Sequence, residues 1–379
     1  MTDDIARGLE GVTVAETRLS SIDGEAGELT IGGFPLPELA GNATFEETVF
    51  LLREDRLPDA DEFESIRADL ASRRDVEPET LETLRAAAED GLPAMDALRM
   101  GVAAATLGGE ASTAGDPADD ALTAVAVMPT LVAAYWRYHE GDEPVAPRED
   151  LGHAANYLHM LNDEEPDEAR VRGLETYLNS VVDHGLNAST FTARCIASTE
   201  SDVVSAVTGA VGALKGPLHG GAPGPVLDML LDVHESGDPE AAVRDRLEAG
   251  ERLMGFGHRV YEVRDPRAAV LSDAAESFYG DAGDADFFES AREAERVGVE
   301  ALAEHKPGRR LETNVEFYTA VLLHGIGVPR ELFTATFGVA RVGGWTAHCL
   351  EQLADNRIIR PRARYVGETN RTWVPVSER

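Results

Sequence analysis

Lysine is nearly absent: only Lys215 and Lys306 occur among 379 residues, and arginine supplies the rest of the fixed positive charge. Cysteine is as scarce. Cys195 and Cys349 stand alone and far apart, which makes neither a disulfide framework nor a metal-binding cluster. No apolar run approaches the roughly 18 residues needed to span a bilayer. The first residues, "MTDDIARGLEG", are acidic and lack the basic-then-apolar order of a signal peptide. These absences lead us to expect a soluble, cytoplasmic protein that neither enters a membrane nor holds a metal. Also missing are a GxxxxGK[ST] phosphate loop, an HExxH, a CxxC and a GxSxG. The "GFG" at 255–257 lacks the strand-GxGxxG-helix context of a dinucleotide site.

Acid is abundant. There are 69 Asp and Glu against 34 Lys and Arg, for a formal charge of −35. The acids are spread along the chain rather than gathered in a tail, so a disordered acidic arm is not favoured. Nucleic-acid binding, which needs a basic face, is excluded. In dilute buffer the self-repulsion would destabilise a compact state. At molar salt the Debye length falls to about 3 Å and most of that repulsion is screened. Lysine's long apolar stem is also a poor surface choice where salt strengthens apolar association. The expectation is a halophilic protein from a salt-filled cytoplasm.

Apolar residues make up 43 % of the chain, enough for a large core, and the length allows two or three domains. Strand signals are few. "GELTIGGF", Gly27 to Phe34, alternates between glycines and predicts a short N-terminal hairpin. Most of the remainder reads as helix, with apolar spacing of three and four broken by Gly, Pro, Asp and Ser. Thr44 to Glu54, Ala118 to His139, Ser201 to Leu214, Val226 to Val233 and Asn314 to His324 are examples, with a serine cap expected at Ser201. Acid-rich surface turns are expected at "LNDEEPDEAR" and "YGDAGDADFFES". The fold class is mainly α.

Three histidines lie in glycine-rich or turn-like settings: His184 in "VVDHGLNASTF", His219 in "LKGPLHGGAPGP" and His258 in "MGFGHRVYEVRDPR". A lone histidine is more often structural than catalytic, but neighbouring glycines let backbone and ligand approach closely. Arg267 and Arg360 sit on proline turns, where surface charge is the simple reading. "TNVE", Thr313 to Glu316, has the spacing of a capping box, which would occupy the Glu316 carboxylate at a helix start.

The order of these pieces is more informative than any one of them. "PAMDALRMGVAAA", "DHGLNASTFTAR", "GALKGPLHGGA", "MGFGHRVY", "DPRA", "TNVEFYTA", "FGVARVGGWTAHCLEQ" and "DNRIIRPRARY" follow one another as in the citrate synthase family, which the sequence resembles through nearly its whole length. The resemblance implies a mainly helical, two-domain fold working as a homodimer. Residues 1–220 and 327–379 would form a large domain and 221–326 an inserted small one. The implied activity is an acyltransferase that condenses acetyl-CoA with oxaloacetate and hydrolyses citryl-CoA to citrate and CoA. No permanently bound cofactor or metal takes part, CoA being a co-substrate.

By the same resemblance, His219 would be the electrophile at the acetyl carbonyl, His258 would polarise the oxaloacetate ketone, and Glu316 would be the base. His184, Arg267, Arg341 and Arg360 would bind oxaloacetate, Arg360 reaching in from the partner subunit. Leu253, Met254, Gly255, Phe256 and Gly257 match a CoA-binding segment. Two departures stand out. The family usually carries a Tyr-Arg-Gly-Tyr-like run where this chain has "IGGF", and commonly Asp where it has Glu316.

The chemistry is consistent with those roles. A thioester α-proton is too weakly acidic for an isolated carboxylate, so the enolate needs a placed donor. His219 before a helix start should stay neutral, and a neutral imidazole beside a carboxylate base is a workable pair. Planar arginines suit the two carboxylates of oxaloacetate. A 2-methylcitrate synthase using propionyl-CoA is the neighbouring alternative, since one methylene in an acyl pocket is worth only about 1–3 kcal/mol. A non-catalytic oxaloacetate- or CoA-binding paralogue is the other, resting on Glu316 alone.

Overall fold

The computed structural model describes residues 5–105, 115–220, 223–258, 260–281 and 284–379. Three short strands come first: β1 (Ser20–Asp23), β2 (Glu28–Ile31) and β3 (Phe34–Pro35). Helices follow as α1 (Leu36–Ala40), α2 (Phe45–Glu54), α3 (Ala60–Ser72), α4 (Pro78–Glu89), α5 (Ala94–Ala104) and α6 (Pro117–Glu140). Next are α7 (His153–Asn162), α8 (Glu168–Val181), α9 (Ala188–Ala197), α10 (Val203–Leu214) and α11 (Pro223–Glu235). The last are α12 (Pro239–Glu248), α13 (Pro266–Asp281), α14 (Ala285–His305), α15 (Val315–Gly325) and α16 (Phe333–Ala354).

The expected hairpin is present. Gly32 and Gly33, with φ of 53° and 84°, form the two-residue turn between β2 and β3. Positive φ at both turn positions is what such a hairpin requires. A third strand was not expected. β1 pairs antiparallel with β2, Ser20 opposite Ile31, although "SSID" carries little strand signal. The β1–β2 turn docks on the segment after His258: Glu262 N–H donates to Gly24 O at 3.1 Å.

Helix starts follow local chemistry. Thr44 and Glu47 form a reciprocal capping box at α2. At α10 the cap is Asp202 rather than Ser201, its carboxylate accepting from Ser205 N–H. Aspartate is as good a cap as serine, and the helix begins one residue later than expected. The turn at 163–167 separates α7 from α8 as expected. The second acid-rich turn is shorter than expected, because α13 runs on to Asp281 and Asp284 caps α14; residues 282–283 lie outside the described residues.

Among the described residues one helix, α6, is long and apolar enough to cross a membrane, which the sequence did not lead us to expect, and 78 % of its apolar window is buried inside the protein. It is a core helix that α4, α5, α7 and α16 pack against. α16 is buried along most of its length and also contacts α2, α8, α9, α10 and α11. Helices α11 to α15 pack largely on one another, and α13 also lies along α8. The expected start of the small domain, at 221, lies outside the described residues.

Candidate active site

The segment that leaves α8 carries His184. Gly185 has φ of 56°, and this left-handed step turns the chain toward α9. His184 is buried, and its Nε2 lies 3.0 Å from the Tyr261 hydroxyl. Its ring meets that of His258 edge-on, centroids 5.9 Å apart. Burial, then the charges of Arg267 and Arg341, push its pKa well below the ordinary value.

His258 accepts at Nδ1 from two backbone donors, Val260 N–H at 3.0 Å and Tyr261 N–H at 3.1 Å. The neutral ring therefore carries its proton on Nε2. That nitrogen faces Arg267 Nη2 at 3.4 Å, another donor, so its N–H is left for a bound acceptor. Burial and Arg267 hold the pKa at about 4.

His219 lies in the turn after α10. Its Nε2 is 2.8 Å from Ser189 Oγ and 3.3 Å from Ser189 N. A backbone N–H can only donate, so Nε2 accepts and the neutral ring holds its proton on Nδ1. Trp345 of α16 donates from Nε1 to Ser189 Oγ at 3.0 Å, which fixes the serine. The pKa is lowered to about 4, by burial first and Arg341 second. Burial and Arg341 both favour the neutral ring.

The capping box that the spacing of Thr313 and Glu316 would allow does not form. Asn314 caps α15, accepting from Glu316 N–H at 3.0 Å. Thr313 is buried in a short antiparallel bridge to Phe256, and its carbonyl accepts from Asp265 N–H. The bridge holds Thr313 in extended backbone and moves the cap one residue on. The Glu316 carboxylate is left without a hydrogen bond among the described residues. Removal from bulk water raises its pKa to about 7, against the opposing charges of Arg267 and Arg341.

Both arginines are buried. Arg267 is held by Asp265 through Nε at 3.0 Å and Nη2 at 2.7 Å. Burial alone would lower its pKa, but the charge and hydrogen bonds of Asp265, joined by Tyr261 and Glu316, together outweigh that and raise it. Arg341, on α16, donates from Nε to Val181 O at 2.6 Å and stacks on Phe337 at 4.6 Å. Its terminal nitrogens have no hydrogen bond to the described residues. Burial lowers its pKa to about 10, so it remains a cation at neutral pH.

Leu253 to Gly257 runs beside the start of α15. Gly257 N–H donates to Glu312 O at 2.7 Å, and Asn314 N–H to Gly255 O at 2.9 Å. Gly255 has φ of 86°, and a Cβ there would stand 2.9 Å from the Phe317 ring. Leu253 and Phe256 turn into the core, Phe256 against Phe317. Met254 is partly exposed, so a ligand here would meet it and backbone.

Six expected residues are thus brought together: His184, His219, His258, Arg267, Glu316 and Arg341. Arg360 is not among them. It is exposed in the segment beyond α16. Single-residue reading missed Tyr261, Asp265, Ser189 and Trp345, all inside the quoted motifs. Two cavities, about 550 Å³ between α8 and α13 and about 840 Å³ under residues 9–18, lie away from this cluster.

The family profile "Citrate synthase, C-terminal domain" matches residues 8–362. A citrate synthase of Haloferax volcanii is 45 % identical over 100 % of both chains. The chain belongs to the citrate synthase family. It is an enzyme of that acyltransferase type. The citrate synthase structure from Pyrobaculum aerophilum superposes with a TM-score of 0.88 at 37 % identity, covering 98 % of this chain and 95 % of that one. The enzyme of Thermoplasma acidophilum, solved as a ternary complex with carboxymethyl coenzyme A and oxaloacetate, gives 0.87 at 29 % identity over 100 % of both chains. A 2-methylcitrate synthase of Shewanella oneidensis is less similar, 35 % identical over 98 % of this chain and 97 % of that one.

Proposed function

We propose that the chain joins the methyl carbon of acetyl-CoA to the ketone carbon of oxaloacetate and then hydrolyses the citryl thioester, releasing citrate and CoA. The observation that carries this reading is the Glu316 carboxylate: without a hydrogen bond to the described residues, pushed to about 7, and set among two arginines and two neutral histidines. Glu316 takes a methyl proton. His219, with its proton on Nδ1, donates to the thioester oxygen as the enolate forms, and placed donors of this kind are worth several kcal/mol. The Nε2 proton of His258 polarises the ketone. Arg267 and Arg341 hold the oxaloacetate carboxylates, His184 supports them, and the segment Leu253 to Gly257 meets CoA.

Residues 1–220 and 327–379 act as the large domain and 221–326 as the small one. The protein works as a homodimer in a salt-rich cytoplasm, with Arg360 completing the partner's site. Its exposure on the single chain is consistent with that role. The halophilic reading is supported by the −35 charge and by the similarity to the enzyme of Haloferax volcanii.

Thiol release at molar KCl, with oxaloacetate and acetyl-, propionyl- or butyryl-CoA, tests the proposal. Acetyl-CoA should give the highest kcat/KM. A higher value with propionyl-CoA would assign a 2-methylcitrate synthase, and no turnover with any of the three would end the reading.

A further inference from the structure

α16 bears a row of polar residues that the chemistry above does not use. His348 is wholly buried one turn beyond Trp345. Its Nδ1 accepts from Arg194 Nη1–H at 3.0 Å, which places the ring proton on Nε2. Nε2 donates to Asp183 Oδ1 at 3.1 Å. Arg194 also binds Glu351 at 2.6 Å and Gln352 at 3.1 Å. The other Asp183 oxygen accepts from Ser20 Oγ of β1 at 2.5 Å, and Ser20 Oγ accepts from Gly185 N–H at 2.9 Å. Asp183 and His348 are both inaccessible to solvent.

Asp183 directly precedes His184. Of the charged neighbours of Arg341, it is also the one that acts on it most strongly. Arg341 already holds Val181 O, so the same helix face grips this segment at both ends. A buried carboxylate without its donor takes the nearest cation or is protonated, because an unpaired buried charge is costly. The arginine whose charge already acts on Asp183 is Arg341, whose terminal nitrogens bind none of the described residues.

We propose that His348 is a positioning residue: by holding Asp183 it keeps that carboxylate off Arg341 and fixes the turn that presents His184, so that both remain available to a dicarboxylate substrate. The proposal rests on the reading that His184 and Arg341 bind oxaloacetate.

Two conservative substitutions separate its two hydrogen bonds. The amide of His348→Asn sits near the Nδ1 position, reaching Arg194 but not Asp183. That of His348→Gln sits near the Nε2 position, reaching Asp183 but not Arg194. Oxaloacetate and acyl-CoA saturation curves would be measured on the full-length enzyme at high salt, with a melting curve for each variant. His348→Asn should raise the KM for oxaloacetate by roughly 10-fold or more, the range expected when a buried charge loses its donor. The KM for acyl-CoA should stay within about twofold. His348→Gln should keep the oxaloacetate KM within about threefold of the parent. Equal KM values for the two folded variants, or a higher value for Gln, would overturn the proposal. If only the Gln variant folds, a KM raised roughly 10-fold in that variant would overturn it equally. Failure of the underlying reading looks different, since the unmodified enzyme would then not saturate with oxaloacetate at all.

Discussion

The Glu316 side chain is decided by a neighbour. Asn314 takes the cap, and the carboxylate that could have closed a capping box stays open. If it is the base, Glu316→Gln keeps size and polarity but cannot accept the proton, and turnover should fall roughly 100-fold or more. Glu316→Asp withdraws the carboxylate by one methylene and should be slower by about 10-fold, since proton transfer needs close approach. Proton exchange into an acetyl-CoA analogue, followed by NMR with an oxaloacetate analogue bound, reads that step alone. Acidity gives a second test. With both histidines neutral above about pH 4 and Glu316 near 7, kcat/KM should fall as pH drops through about 7, with one ionisation. The stability sign is opposite. A carboxyl whose folded pKa is raised contributes most below its unfolded value of 4.5 and loses that contribution as pH rises through 7. Glu316→Gln should therefore melt higher than the parent at about pH 8 and about equally at about pH 4. A flat pH profile together with parental turnover in the Gln variant would remove Glu316 from the chemistry.

Among the elements, α16 organises the site. Arg341, Trp345 and His348, spaced by four and three, share one face and hold Val181, Ser189 and Asp183. Gly344 lets the helix approach, because a Cβ there would stand 2.3 Å from Val182 O and 2.9 Å from Asp183 Oδ1. Gly338, nearly two turns earlier, has 3.4 Å to its nearest neighbour, ordinary contact. Gly344→Ala should thus destabilise by about 1–3 kcal/mol, as overpacking does, and raise the oxaloacetate KM. Gly338→Ala should be neutral or gain up to about 1 kcal/mol from helix propensity. Equal melting points for the two would show that α16 does not need that close approach. The motif "FGVARVGGWTAHCLEQ" was legible in the sequence, and so was Arg341, because residue type and order carry them. The purpose of Trp345 and His348 was not, since their partners Ser189 and Asp183 lie 156 and 165 residues away and only folding joins them. The local choice between cap and base at Glu316 stayed open for the same reason. A local pattern cannot show that Phe256 holds Thr313 in a bridge. β1 was missed because a polar four-residue strand is defined by its pairing with β2 rather than by its own pattern.

For the whole molecule, charge is the largest force to balance. Arginine makes most of the surface pairs, such as Arg56 with Glu62 and Arg296 with Glu293 and Glu300. Exposed pairs of this kind contribute only about 0–1 kcal/mol each, and with a net charge of −35 many acids have no cation to meet. Their repulsion acts over about 10 Å at 0.1 M salt and about 3 Å at 1 M. Folding and activity should therefore need salt on the order of molar, with inactivation and loss of helical circular dichroism below roughly 0.5 M. Salt also strengthens apolar burial, so the two effects have to be separated. Glu64 and Asp69 on α3, Glu235 on α11 and Glu289 on α14 are exposed and form no ion pair with the described residues. Converting these four to amides leaves the core and the site untouched while removing four negative charges. If screening is what salt supplies, the amide variant should unfold at a lower KCl concentration than the parent, and the two should converge above about 2 M, where the Debye length is shorter than the spacing of surface charges. An unchanged KCl midpoint would assign the salt requirement to apolar burial instead, and full activity of the parent in dilute buffer would remove the requirement itself.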